Sequence, residues 1–253
     1  MRLNQYIAKY QSISRRHADE LISDVKVFVN SLPAVLGQQI DETKDLVVIQ
    51  KFKDPTKGSI EIQPKTFCKQ TVLFYKPIFC LTTRFDPQKR KIIYDFLPKQ
   101  FFNLKPAGRL DYMSEGLLIL SNDGELIDDL THPKNQHTKS YLVGVNQKLG
   151  SNFLKVAKSG SMEIDDYQLN QVNIEPLDKT EHSSYSYLKL NHDLHWYKFV
   201  LTEGRNNQIR KMVEAFGLRV QRLIRIQQGQ YSLTQELFTD KYQVVDKKQS
   251  PQL

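Results

Sequence analysis

The stretch of residues 106–124, PAGRLDYMSEGLLILSNDG, contains an uninterrupted apolar run between two polar segments. The run, residues 117–120, follows Gly116 and ends at the turn-forming sequence Asn122-Asp123-Gly124. A short apolar run bounded by turn residues is typical of a buried strand. The sequence therefore predicts a buried strand that is entered through a polar, glycine-containing loop.

One carboxylate, Asp111, stands in that loop. It follows Gly108-Arg109-Leu110 and precedes Ser114-Glu115-Gly116, and the two glycines give the main chain freedom beside it. An aspartate near glycine is also ordinary turn chemistry, so the residue alone does not define a site. An aspartate held between an arginine and a strand that fixes its geometry suits a nucleophile or a base better than a surface charge.

Short strand and helix patterns alternate over the second part of the chain. Alternating apolar residues predict strands at 72–75, 141–145 and 196–201. Helical spacing predicts helices at 125–130 and 209–216, the second of them ended by Gly217. A strand-rich chain with a few interposed helices indicates an α+β domain with a mixed, mostly antiparallel sheet and peripheral helices.

The first fifty residues form a separate pattern. Leu3, Tyr6, Ile7 and Tyr10 have helical spacing, Ser14 is placed as the N-cap of a second helix, and strands are predicted at 25–30 and 46–49. We predict a domain over residues 1–50, a linker over 51–66, a larger domain over 67–246 and a tail over 247–253. Ile60 and Ile62 alternate as in a small strand within the linker.

The formal charge of +8 and the pI of about 9.3 favour a polyanionic partner, either nucleic acid or a membrane surface. No apolar run approaches the roughly 18 residues of a membrane helix, and no signal-peptide core is present at the N-terminus. Cys68 and Cys80 have neither metal-ligand nor redox spacing, and His192 and His195 lack partner ligands. These features predict a cytoplasmic protein with reduced cysteines and no metal site.

Several motifs, in the right order, closely resemble those of bacterial ribosomal RNA pseudouridine synthases of the RsuA/RluB-type branch. They are GRLD with the following SEGLL and NDG, YKP at 75–77, KSYLV at 139–143 and EGRNNQIRKM at 203–212. The resemblance covers roughly residues 1–50 and 72–233. It implies that Asp111 is the essential catalytic carboxylate, which either attacks carbon 1 of the ribose or takes a proton from carbon 2.

The resemblance also implies roles for residues around the carboxylate. Arg210 matches a buried guanidinium that holds the aspartate, and Tyr141 matches an aromatic ring that stacks on the uracil. Tyr141 could instead be an aromatic residue that packs the core. Leu223 matches a wall of the base pocket, and Arg109 is our candidate to fill the gap that the flipped base leaves. The isomerisation is redox-neutral and hydrolysis-free, so we expect no cofactor.

The N-terminal sequence is similar to S-four-type RNA-binding domains, with the SRR and VN landmarks correctly spaced. The family pattern has glycine where Val25 stands, often one where Ser31 stands, and usually one near Phe79. As an isolated pair, Arg15 and Arg16 could be only a solvated helix end, but they fall off the apolar stripe of their helix and are free to face a partner. The predicted RNA-binding residues are Arg109, Leu223, Arg15, Arg16, Arg205, Lys211 and Arg222.

Three features look more like those of synthases that act on large-subunit ribosomal RNA: YKP, the following Thr-Arg-x-Asp-Pro at 83–87, and LTEGRNNQIR with RLIRI. We therefore predict site-specific isomerisation of uridine in ribosomal RNA or a pre-ribosomal particle, by a monomer. Two alternatives stay open. The chain could modify small-subunit ribosomal RNA or another RNA, or it could be a non-catalytic RNA-binding factor in ribosome assembly.

Overall fold

A computed structural model of the chain describes residues 1–11, 13–50, 59–62 and 69–245. The chain divides into two compact units, Met1–Cys68 and Lys69–Leu253. The first unit therefore extends beyond residue 50, and a strand at Ser59–Ile62 pairs within its sheet. Part of the predicted linker thus belongs to the first unit. The rest of that linker and the predicted tail lie outside the described residues.

The first unit packs two helices, α1 (Leu3–Gln11) and α2 (Arg15–Ser23), with a four-stranded antiparallel sheet. Its strands are β1 (Val27–Val29), β2 (Leu32–Pro33), β3 (Val47–Gln50) and β4 (Ser59–Ile62), in the order β2-β1-β3-β4. The hydroxyl of Ser14 accepts a hydrogen bond from the main-chain N–H of His17 at 3.0 Å, so the predicted N-cap is confirmed.

The predicted strand at 25–30 is shorter than expected. Val25 has a φ of 55°, and Asn30 and Ser31 have φ values of 50° and 69°. These left-handed conformations end the extended region at both sides, so the strand runs only from Val27 to Val29. Val25 and Ser31 are two of the positions at which the family pattern has glycine.

The second unit is built on one large mixed sheet with helices around it. Its strands are β5 (Thr71–Lys76), β6 (Lys105–Pro106), β7 (Glu115–Ser121), β8 (Lys139–Val145), β9 (Glu163–Ile164), β10 (Tyr167–Gln168), β11 (Asn173–Pro176), β12 (His195–Leu201), β13 (Val220–Gln228), β14 (Tyr231–Ser232) and β15 (Tyr242–Val244). Its helices are α3 (Gly124–Thr131), α4 (Ser151–Ser159), α5 (Lys179–Ser184), α6 (Gln208–Glu214) and α7 (Gln235–Asp240).

The main path of the sheet is β11-β12-β8-β13-β7-β5-β15, with β14 paired to β13 and β6 to β7, while β9 and β10 form a separate hairpin. Among the strand pairs of the described residues, only β7 with β13 is parallel. The predicted α+β class with a mixed, mostly antiparallel sheet is confirmed. No helix in the described ranges is both long and apolar enough to cross a membrane.

Strand β7 lies inside the sheet with both faces covered. Leu117 and Ile119 belong to one hydrophobic core, and Leu118 and Leu120 belong to the core on the opposite face. All seven residues of β7 are buried. The uninterrupted apolar run is therefore explained, because a strand covered on both faces needs apolar side chains at every position. The loop that carries Asp111 leads directly into this strand.

Candidate active site

A cavity of about 480 Å³ opens in the second unit, beside the loop that precedes β7. Five of the ten predicted site residues line it: Arg109, Asp111, Tyr141, Arg205 and Leu223. The cavity is large enough for a nucleotide-sized group and is bounded by both polar and apolar side chains. The sequence prediction that these residues form one site therefore agrees with where they lie.

Three neighbouring strands bring these residues together. Asp111 precedes β7, Tyr141 lies in β8, and β13 lies between these two strands. In the register of the sheet, Arg225 of β13 is opposite Gly116 on one side and Tyr141 on the other. The carboxylate and the aromatic ring thus come from strands on either side of β13, and rigid elements fix the geometry of the site.

The Lys76 ammonium holds the loop that carries Asp111. Its Nζ donates to the main-chain oxygens of Ser114 at 2.7 Å, Pro77 at 3.0 Å and Asp111 at 3.1 Å. The side chain is fully buried, and this burial lowers the pKa of Lys76 to about 8. In the sequence this residue served only as a landmark of the YKP motif. Its role in fixing the loop depends on contacts with distant residues.

Arg210 contacts the loop rather than the carboxylate. Its Nη2 donates to the Met113 carbonyl oxygen at 2.7 Å and its Nη1 to the Val220 carbonyl oxygen at 3.0 Å. Burial lowers the pKa of Arg210, and the nearby charge of Asp111 opposes this effect. The predicted electrostatic partnership with Asp111 is present at longer range. No hydrogen bond joins the two side chains among the residues that the structure describes.

A second arginine, Arg225, is the fully buried guanidinium of the cavity, with 2% of its surface exposed. Its Nε donates to the Leu117 carbonyl oxygen at 2.8 Å, and its Nη1 lies 3.5 Å from the Arg109 carbonyl oxygen. Its Nη2 is buried without a partner. A buried donor without an acceptor is costly, so this unpaired N–H lowers the stability of the folded protein. Sequence reasoning missed Arg225, although it stands inside an apolar strand.

Lys139 adds a fourth cation to the cavity wall, beside Arg109, Arg205 and Arg225. Burial lowers the pKa of Lys139, the charge of Arg225 lowers it further, and Glu203 opposes the shift. Among the described residues, no hydrogen bond or ion pair engages its ammonium group. With the exposed Arg109 and Arg205 and the buried Arg225, the cavity wall carries four cations against two carboxylates, Asp111 and Glu203, and is basic on balance. Such a wall suits a polyanion.

Arg205 and Lys211 are both tied to the hairpin of β9 and β10. The Arg205 guanidinium lies over the Tyr167 ring, 3.0 Å from its centroid, and Tyr167 also lines the cavity. Lys211 forms an ion pair with Asp165 and does not line the cavity. Arg205 remains exposed, as its predicted contact with RNA requires, whereas Lys211 is engaged within the protein.

Arg222 is also engaged within the protein. Its Nε donates to Glu115 Oε1 at 2.6 Å, and its Nη1 donates to the carbonyl oxygens of Leu188 at 2.9 Å and Lys189 at 3.1 Å. Its Nη2 lies 3.4 Å from Glu115 Oε2, which also accepts from the Tyr75 hydroxyl. Burial raises the pKa of Tyr75, with the Glu115 charge acting in the same direction. This geometry makes Arg222 a structural ion-pair partner instead of the predicted RNA contact.

The remaining predicted residues, Arg15 and Arg16, lie in the first unit. Both are exposed in the first turn of α2, directly after the Ser14 cap. In the described part of the chain, no group of three or more His, Cys, Asp or Glu side chains could hold a metal ion.

Comparison with known proteins gives consistent matches. Residues 70–215 match the profile of a family described as RNA pseudouridylate synthase. The chain is 31% identical over 227 residues to "Ribosomal large subunit pseudouridine synthase B" of Buchnera aphidicola subsp. Acyrthosiphon pisum (strain APS), covering 88% of this chain and 84% of the relative. A protein of the same name from Vibrio vulnificus (strain CMCP6) is 31% identical over 237 residues, with 93% and 69% covered.

A solved structure named "Crystal structure of pseudouridylate synthase" has a similar fold. It superposes with a TM-score of 0.64 at 22% identity and covers 98% of this chain and 97% of its own. At this identity the likeness shows the fold.

Proposed function

Because the chain belongs to the RNA pseudouridylate synthase family, we propose that it isomerises a specific uridine to pseudouridine in large-subunit ribosomal RNA. The names of its relatives support this substrate. The observation that carries the proposal is the shared cavity of Asp111, Tyr141 and Leu223. A carboxylate, an aromatic ring and an apolar wall are the three groups that a flipped uridine needs around its sugar and base.

The chemistry assigned to these groups follows from the bonds that change. The bond from ribose carbon 1 to the base nitrogen breaks, the base rotates, and a bond to base carbon 5 forms. The Asp111 carboxylate reacts with the ribose, either as a nucleophile at carbon 1 or as a base that takes a proton from carbon 2. In this proposal Tyr141 stacks on the base and helps to remove the proton from carbon 5.

Entry of the uridine requires that it leave its stack, at a cost of a few kcal/mol. The exposed Arg109, at the cavity and two residues before Asp111, supports the proposal that its side chain fills the gap left in the RNA. The basic wall with Lys139 and Arg225 supports binding of the phosphates around the uridine. The first unit, with Arg15 and Arg16 exposed, would act as an S-four-type domain that grips RNA phosphates.

The test is release of tritium from ribosomal RNA labelled at carbon 5 of uridine. The native protein is expected to release tritium and Asp111→Asn to release none, because the amide supplies neither a nucleophile nor a base. Full activity in Asp111→Asn would refute the assignment. RNA binding by Asp111→Asn should persist, which separates loss of chemistry from loss of fold.

The target and the cellular setting are further parts of the proposal. Mapping of pseudouridines in a deletion strain identifies the site, and loss of one large-subunit position is the expected result. If the deletion strain instead lacked a pseudouridine in small-subunit ribosomal RNA or in transfer RNA, that RNA would be the substrate of the same reaction. An unchanged map would favour a non-catalytic assembly factor. We further propose that the protein acts as a monomer in the cytoplasm, where ribosomal subunits are assembled.

A further inference from the structure

Two short turns beside the cavity are joined to each other. The first covers residues 77–80, and the second covers residues 111–114 and begins at Asp111. The Phe79 N–H donates to the Tyr112 carbonyl oxygen at 2.8 Å. The Lys76 ammonium donates to a carbonyl oxygen in each turn. Asp111 and Ser114, the two ends of the second turn, line the cavity, so the joined turns border it, although Ile78, Phe79, Tyr112 and Met113 are not among its lining residues.

The exposed side chains of the two turns are apolar. The exposed fractions are 50% for Phe79, 44% for Met113 and 40% for Ile78. The rings of Phe79 and Tyr112 meet edge to face, with centroids 5.7 Å apart. Single exposed apolar residues are common on proteins, but three from two joined turns, with the half-buried Tyr112 ring beside them, form a patch, and such patches mark binding surfaces. We call Phe79 and Tyr112 the aromatic rim.

Phe79 also has an unfavourable main-chain conformation. Its φ of 57° lies in the left-handed region, where a bulky side chain is strained and glycine is not. Half of the ring stays exposed, so burial in the protein offsets this strain only in part. Strain of this kind persists mainly where the side chain serves a function. The position therefore gains from an aromatic ring that reaches into solvent beside the active-site loop.

Arginines flank the aromatic rim. Arg210 is engaged by the carbonyl oxygens of Met113 and Val220, so Arg109, exposed two residues before Asp111, is the cation that a phosphate can reach. Exposed aromatic rings beside guanidinium groups are the combination by which proteins bind single-stranded nucleic acid, since bases stack on rings and phosphates pair with cations. A purely apolar protein partner would not suit this charge.

We propose that the aromatic rim stacks against an unpaired base next to the uridine that enters the cavity. The proposal rests on the proposed function, since it takes RNA as the ligand and a uridine as the nucleotide that enters the cavity. Phe79 would be a contact for the flanking nucleotide and not a catalytic residue. It would thereby help select which uridine is presented to Asp111, since the strength of stacking differs between bases.

The probe is a short oligouridylate that carries one 2-aminopurine, whose fluorescence is quenched when it stacks on an aromatic ring. Binding is measured with the Asp111→Asn full chain, so that no turnover occurs. In this background Phe79→Gly and Phe79→Leu should each lose the quenching that depends on the rim and bind about tenfold more weakly. Phe79→Tyr should bind as the parent does.

Two controls separate stacking from folding. Phe79→Gly removes the strained side chain, so its Tm should equal or exceed that of the parent. Phe85→Gly removes a phenylalanine of the same segment that is 75% exposed and has no ring contact in the described structure, and it should leave affinity and quenching unchanged. Parental affinity and quenching in Phe79→Leu would overturn the proposal, as would an equal loss in Phe85→Gly.

The outcome for the aromatic rim and the outcome for the proposed function are independent. If native protein releases tritium from ribosomal RNA while the Phe79 variants bind like their parent, the aromatic rim is refuted and the enzyme stands. If no tritium is released but the Phe79 variants lose quenching, the RNA contact stands and the proposed activity falls.

Discussion

Gly116 lies directly against the main chain of Arg225, so that a β-carbon placed on Gly116 would be 2.3 Å from the Arg225 carbonyl oxygen. The same glycine has a φ of 108°. This close approach lets the two strands pair in parallel at the floor of the cavity. The position of the buried guanidinium is therefore set by the absence of a side chain on the neighbouring strand.

Replacement of Gly116 by alanine should lower the free energy of unfolding by more than about 3 kcal/mol, because backbone atoms cannot move aside as a flexible side chain can. The measurement is urea denaturation of the full chain. Gly124→Ala is the matched control, since nothing lies within 4 Å of its β-carbon and alanine favours the start of α3. Equal stability of both variants would contradict the close approach.

The activity should fall as pH rises through about 8, where Lys76 loses its proton. A neutral amine has two hydrogens for three carbonyl acceptors, so the Asp111 loop loses a contact and kcat should drop roughly tenfold. Lys76→Met should begin low and lack this decline. If kcat of Lys76→Met declined with the same apparent pKa, another group would be responsible.

Stability should respond to pH in the opposite direction. Between pH 8 and the ordinary lysine value of 10.5, the unfolded chain still binds the Lys76 proton and the folded protein does not. Since the unfolded state then binds more protons, this residue makes the free energy of unfolding rise with pH. Denaturation curves across this window should show a smaller rise in Lys76→Met than in the native protein.

Arg222→Ala should lower stability by about 3 kcal/mol without changing the salt dependence of RNA binding. Removal of the Arg222 guanidinium leaves the buried Glu115 carboxylate without its cation. A buried charge without a partner strongly lowers the free energy of unfolding. Arg219→Ala is the control, because Arg219 is exposed in the same segment. The salt dependence is the slope of the logarithm of the RNA-binding constant against the logarithm of the salt concentration. If Arg222→Ala made this slope smaller by about one, Arg222 would contact RNA as predicted from the sequence.

Val25→Gly should stabilise the first unit by about 1 kcal/mol. The φ of 55° strains a β-branched residue, and with 56% of the side chain exposed little burial is lost. The greater freedom of glycine in the unfolded chain offsets part of the gain. Hydrogen exchange of the amides in β1 and β3 measures the effect. Val27→Gly, at a fully buried position, should instead accelerate exchange.

Local sequence patterns were sufficient to predict those elements whose structure depends on residues close together in the sequence. The run in β7 and the Ser14 cap could be predicted because burial on two faces and capping leave a signal within a few residues. Helix α4 was missed although Phe153 and Ala157 have helical spacing. The predicted bounds of single elements were less accurate. Val25 was included in a predicted strand, but it lies outside that strand because its φ is set by the turn that follows α2.

The candidate site could be predicted in part for the same reason. The motif resemblance identified Asp111, Tyr141 and Leu223, which share the cavity. Arg225 was missed and Arg222 was predicted to contact RNA, because an arginine's neighbours decide whether it is buried or free. Here those neighbours are Leu117 and Glu115, more than one hundred positions away along the chain. No local pattern carries that information.

The parallel pairing of β7 with β13 has a consequence for biosynthesis. Arg225 and the Leu117 carbonyl oxygen that it binds are 108 positions apart, so the floor of the cavity cannot close until β13 has left the ribosome. Contacts of such long range form late and slow folding. The nascent protein therefore remains without a finished active site until β13 has been translated, long after the loop that carries Asp111.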